Sequence, residues 1–82
     1  MNLGHKASAV MMQELAGVNA ESGDVAFSAG AYDTAIELYS VAIDLDPTND
    51  AIFANRCKAK LGKMLWNDAL VDAEKVPHRP RF

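Results

Sequence analysis

The chain has a single cysteine, Cys57, so no disulfide can staple it internally and a reducing, cytoplasmic setting is the simplest expectation. It lacks an excess of basic residues. Eight Lys and Arg against eleven Asp and Glu give a formal charge of −3, which removes the electrostatic footprint expected of a nucleic-acid binder. It also lacks a long apolar run. The stretch Ala7–Met12 is interrupted at Gln13 and Glu14, too early for a signal peptide core or a membrane span. There is no glycine-rich phosphate loop and no Ser/His/Asp set. The two histidines, His5 and His78, stand at opposite ends of the chain without metal-ligand spacing. These absences argue against an enzyme and against a metal or other cofactor.

What is present is self-similarity. With 82 residues, the chain has room for one small domain. Shifting the sequence by 34 residues places Ala20 on Ala54, Gly23 on Cys57, Phe27 on Leu61, Tyr32 on Trp66, Ala35 on Ala69 and Ile36 on Leu70. Residue class recurs more than identity, and class is what packing requires. Within each copy the apolar positions follow a helical period, as in Ala35, Leu38, Tyr39, Ala42 and Leu45. The spacing predicts helices over 18–30, 33–46, 50–63 and 67–76. The segment 5–16 reads either as a fifth helix or as a leading extension of the first. Asp33, Asp50 and Asn67 are the residue types that cap helix N-termini, and Gly30 suits a sharp reversal. The run Pro77–Phe82 contains two prolines and reads as a disordered tail. The second turn is weakly marked. Gly62 falls two residues early, Met64 stands at the turn, and residues 50–76 could instead form one long helix.

Gly23, Ala35-Ile-Glu-Leu-Tyr39 and Pro47, together with Gly30 and Tyr32, resemble the tetratricopeptide-repeat (TPR) pattern, over residues 18–76. The resemblance implies an all-α fold of antiparallel helical hairpins from a TPR-type α-α superhelix. It amounts to about one and a half to two repeats, with residues 1–17 as an N-terminal helical extension. It implies a non-catalytic module that binds a protein or peptide partner in a groove lined by the first helix of each hairpin. The positions that map there are Ala20, Asp24, Phe27, Ala51, Asn55, Lys58 and Leu61. The pattern is similar to that of co-chaperone TPR domains, which clamp a C-terminal carboxylate with Lys and Asn. Here Asn55 matches one clamp asparagine, but Ala20 replaces the lysine and Asp24 the other asparagine. An anion at that place argues against binding a chaperone C-terminal tail.

Stacked repeats need neighbours to cover their apolar faces, and about three are usual. The last helix leaves Leu65, Trp66, Ala69, Leu70, Ala73 and Val76 with no following helix to cover them. Each large side chain left in water forfeits roughly 1.5–3 kcal/mol. Self-association is therefore expected, as a two-fold homodimer or by exchange of a hairpin. The alternative is a purely structural oligomerisation unit, or a fragment of a longer array. The cations Arg56, Lys60 and Lys63 share a helical face and read first as partners for Asp68, Asp72 and Glu74, and second as an anion-binding stripe. Met11, Met12 and Met64 read as core filling, and Cys57 as a buried structural thiol.

Overall fold

The structure, a computed structural model, describes residues 3–76; among these, the side chains of residues 3–7 and of Trp66 are outside the description. The tail expected at 77–82, and with it His78, lies outside the described residues. Four helices follow one another: α1 (Leu3–Ser28), α2 (Tyr32–Leu45), α3 (Asp50–Gly62) and α4 (Trp66–Ala73). Each packs on the next, α1 also touches α3, and α1 and α4 do not meet. The two hairpins α1/α2 and α3/α4 are thus stacked side by side, an all-α architecture without strands among the described residues.

The helix period places the core. Ala35, Tyr39, Ala42 and Ile43 form the buried face of α2 and join Ala16 of α1 with Ile52 and Ala59 of α3 in one cluster. Ala20, Ala26, Phe27, Ile36, Leu45 and Phe53 pack around it. Two glycines create room for rings. A Cβ at Gly23 would lie 2.6 Å from the Tyr39 ring, and one at Gly62 would lie 2.8 Å from the Tyr32 ring. Gly62 is therefore a packing slot and not a displaced turn glycine.

The turns explain several departures from expectation. Helix α1 ends with Gly30 at φ 78°, its N–H bonded to the Phe27 carbonyl and the Ala31 N–H bonded to the Ala26 carbonyl, both at 2.9 Å. This is the Schellman arrangement, in which a left-handed residue lets the chain satisfy the last carbonyls of a helix. The second turn repeats it. Met64 has φ 63°, its N–H reaches the Leu61 carbonyl at 2.9 Å, and the Leu65 N–H reaches the Lys60 carbonyl at 2.8 Å. Residues 50–76 are thus a hairpin and not one long helix.

Because each left-handed residue is followed directly by the next N-cap, the caps are Ala31 and Leu65, without side-chain cap bonds. Asp33 and Asn67 fall inside the first turn and do not cap. Asp50 is likewise displaced by Asn49, whose side-chain oxygen accepts the Ala51 N–H at 3.1 Å. In the loop before it, Asp46 Oδ1 accepts the Thr48 hydroxyl at 2.6 Å and the Thr48 N–H at 3.2 Å. The N-terminal segment is not a fifth helix. Gly17 costs a helix only about 1 kcal/mol relative to Ala, too little to break it, and α1 runs through it without interruption. Ala16, placed in the extension by sequence, is 1% exposed in the core. Met11 and Met12 are exposed and fill no core, and Met64 is exposed at the turn.

Candidate functional site

One face of the stack carries a cavity of about 220 Å³ lined by Asp24, Phe27 and Ser28 of α1, Tyr39 of α2, and Asn55 and Lys58 of α3. The stacking of α1 beside α3 creates it. Helical spacing sets Asp24, Phe27 and Ser28 on one side of α1, and Asn55 and Lys58 on one side of α3. Tyr39 reaches between them because Gly23 leaves its ring room.

A hydrogen-bonded cluster forms the floor. The Tyr39 hydroxyl donates to Asp24 Oδ1 at 2.5 Å, and the Asn55 amide donates to the same oxygen at 3.4 Å. Burial, and then the hydrogen bond and charge of Asp24, raise the Tyr39 hydroxyl well above its ordinary value, so it remains a proton donor. Lys58 is exposed at the rim and makes no ion pair among the described residues. The groove therefore offers an anchored carboxylate, an amide, an aromatic wall and a cation. That set can hold polar and charged groups of a peptide. Among the described residues no group of His, Cys, Asp and Glu is placed to hold a metal ion. The side chains of both histidines lie outside the description.

Of the seven groove positions read from sequence, the structure brings Asp24, Phe27, Asn55 and Lys58 together. Ala20 is half-buried against the core and does not line the cavity. Ala51 is exposed at the start of α3, and its N–H is taken by the Asn49 cap. Leu61 turns the other way, into the end of the stack. Sequence reasoning missed Ser28 and Tyr39. For Tyr39, the signal was the Gly23 slot opposite an aromatic.

The end of the stack is a second surface. A shallow depression of about 220 Å³ is lined by Cys57 and Leu61 of α3 and by Ala69, Leu70 and Ala73 of α4. Leu65 and Leu70 are exposed, Ala73 and Val76 are half-buried, and the Trp66 side chain is outside the description. Ala69 is 2% exposed and forms the floor of this depression between α3 and α4. Cys57 is half-buried rather than the fully buried thiol expected, with the small Ala73 lining the same depression.

The cations are already engaged. Arg56 Nε and Nη2 donate to the two carboxylate oxygens of Asp72 at 2.8 and 2.7 Å, and its Nη1 donates to Ser40 Oγ at 3.0 Å. Lys60 Nζ adds a contact of 2.9 Å to Asp72, which is 1% exposed. Lys63 pairs with Asp33. Burial pushes the Asp72 carboxyl upward, but hydrogen bonds and charge from Arg56 and Lys60 outweigh it, and the net direction is down. These cations therefore link α2, α3 and α4 and do not form an open anion-binding stripe. Of the three anions expected to pair with them, Asp72 does so with Arg56 and Lys60.

The family model described as TPR repeat matches residues 23–63, half of the chain. The Hsp70-Hsp90 organizing protein of Triticum aestivum is 43% identical over 54 residues, which is 66% of this chain and 9% of that protein. Hsp70-Hsp90 organizing protein 2 of Arabidopsis thaliana is 40% identical over 54 residues, 66% of this chain and 10% of that protein. Sperm-associated antigen 1 of Homo sapiens is 39% identical over 56 residues, 68% of this chain and 6% of that protein. The chain thus spans a tenth or less of the length of these relatives. No solved structure matches it.

Proposed function

The chain belongs to the tetratricopeptide-repeat family, and from that premise we propose that it is a protein–protein interaction module that captures a peptide segment of a partner in the α1/α3 groove. The observation that carries this reading is the cluster on the groove floor. Asp24 is anchored by Tyr39 and Asn55, and Lys58 stands open beside them. A preformed, hydrogen-bonded surface lowers the ordering cost of binding. The module carries no catalysis and requires no cofactor.

Two relatives are named as organizing proteins of Hsp70 and Hsp90. For this chain the same groove points to a different ligand end. The Asn55 amide leans on the Asp24 carboxylate at 3.4 Å, and an incoming terminal carboxylate would meet that negative charge. The reading is therefore capture of an internal peptide segment and not of a chaperone tail. No described helix is long and apolar enough to cross a membrane. The lone cysteine and the co-chaperone relatives suit a cytoplasmic setting.

Fluorescence polarisation with a library of labelled peptides tests this. Asn55→Ala and Lys58→Glu should each weaken the selected peptide by about tenfold, or about 1.4 kcal/mol, while circular dichroism stays unchanged. Unaltered affinity in both variants would remove the groove from the account.

A second reading is favoured by the open end of the stack. The exposed Leu70 beside the half-buried Cys57 supports reading this face as a self-association surface, in which case the chain acts as an oligomerisation unit. The two readings use different faces and can hold together.

A further inference from the structure

The 34-residue repeat identifies what would cover the open end. The depression at α3/α4 is lined by Cys57, Leu61, Ala69, Leu70 and Ala73. Shifted back by 34, these are Gly23, Phe27, Ala35, Ile36 and Tyr39. That earlier set is closed: Gly23, Ala35 and Tyr39 are buried, and Phe27 and Ile36 pack against the core cluster. Helix α3 supplies Ile52 and Ala59 to the same cluster. Inside the chain, therefore, a hairpin surface of this pattern is completed by a following helix that presents residues at positions 52 and 59.

The chain carries the matching half at its other end. Ile52 and Ala59 shift back onto Val18 and Val25 of α1. Where the α3 residues are 2% and 0% exposed, Val18 and Val25 are 59% and 71% exposed. Leu15 and Met11 extend the same stripe at spacings of three and four, and they too are more than half exposed. Alpha-1 thus shows two apolar faces. One packs on α2, and the other, left exposed, corresponds by repeat to the face that α3 buries. The two open ends cannot meet within one chain, since α1 and α4 do not touch.

We infer that the partner for the α3/α4 end is α1 of a second copy of this chain, stacked head to tail so that the internal α1/α2-to-α3 junction is repeated between molecules. This deepens the self-association reading and rests on it. The contact is heterologous and not two-fold, and nothing in it closes after two copies, so chains add in a row. Polar groups at the seam correspond as well. Arg56 and Ser40, hydrogen-bonded in the internal junction, map to Ser22 and Glu74. The donor thus changes from guanidinium to hydroxyl, and the acceptor from hydroxyl to carboxylate.

The test uses one variant at each end, Val18→Glu and Leu70→Glu, in exposed side chains whose change leaves the fold intact by circular dichroism. Sedimentation velocity of the full chain is followed from about 5 to about 500 µM. Head-to-tail stacking predicts that wild type grows past the dimer with concentration. Each variant alone is held to monomer, its association weakened by more than about a hundredfold by a carboxylate forced into an apolar seam. An equimolar mixture of the two variants forms a one-to-one heterodimer, because each contributes its intact end, and stops there. If wild type associates but one variant alone associates equally well, the contact is two-fold through a single face; self-association stands and the stacking mode falls. If both variants are monomeric and their mixture stays monomeric, the stacking mode falls as well. A wild type that stays monomeric at every concentration overturns self-association itself and leaves the peptide groove untouched.

Discussion

Gly30 and Met64 stand at equivalent places in the two hairpins, with φ of 78° and 63° and the same pair of backbone hydrogen bonds behind each. The interiors that follow these matching turns differ. In the first hairpin Tyr39 fills the space over Gly23 and is 1% exposed. In the second, Ala73 stands where Tyr39 would be, Cys57 where Gly23 would be, and the space stays open as a surface depression. At the position of the half-buried Leu38, the second hairpin has Asp72, buried and held by Arg56 and Lys60. One backbone motif is thus filled by an aromatic ring in the first copy, and in the second is left with an open depression beside an ion-paired carboxylate. Backbone hydrogen bonding is enough to repeat the turn. Closure of the hairpin depends on side-chain volume.

The largest break in this comparison is Tyr39→Ala, which gives the first hairpin the residue of the second. Removing a buried ring costs about 3–5 kcal/mol, a large part of the roughly 5–15 kcal/mol available to a domain. The urea midpoint should collapse, whereas Ala73→Gly should cost only about 1 kcal/mol.

Next in size is Asp72→Ala. It strands Arg56 and Lys60, which are 18% and 14% exposed and can partly reach water, so a loss of about 2–4 kcal/mol is expected. The carboxyl is held below its ordinary value in the folded chain. Its stabilisation is therefore fully present above the unfolded value of about 4, and it is lost as pH falls below that. The difference in thermal midpoint between wild type and Asp72→Ala should be constant near neutrality and shrink steadily in acid. A difference independent of pH would mean that the ion pairs contribute nothing.

The smallest effect belongs to the turns. Gly30→Met should cost about 1–2 kcal/mol, the penalty of a side chain in the left-handed region. Met64→Gly should return about 1 kcal/mol, read as a rise in melting temperature. If the two exchanges change stability equally and in the same direction, the turns are not equivalent.

The repeat, the position of α2 and the first turn are legible in the sequence because they rest on local spacing and on Gly30, whereas spacing alone leaves segment 5–16 and residues 50–76 open to more than one helix count. Four of the groove residues follow from the resemblance to the repeat family, which implies that the first helix of each hairpin lines the groove. The remainder depends on contacts distant in sequence. Met64 carries no local mark of a left-handed residue, so the second turn could be read as continuous helix. Asp33 and Asn67 have the chemistry of caps, but the left-handed residue before each helix moves the boundary upstream. Tyr39 reads as one more apolar position on α2, and its bond to Asp24 becomes visible only when α1 is laid beside it. Leu61 and Phe27 are equivalent by repeat, yet among the described residues only Phe27 has a following helix beside it and so faces a groove.

The central claim is that the two hairpins are one motif, covered in the first and open in the second. Residue-resolved amide hydrogen exchange of dilute protein tests it directly. The slowest amides should lie in Ala35–Ile43 of α2, with those of Ala69–Ala73 exchanging at least about tenfold faster, and raising the concentration should slow α4 without slowing α2. Equal protection of α2 and α4 in dilute solution would contradict it.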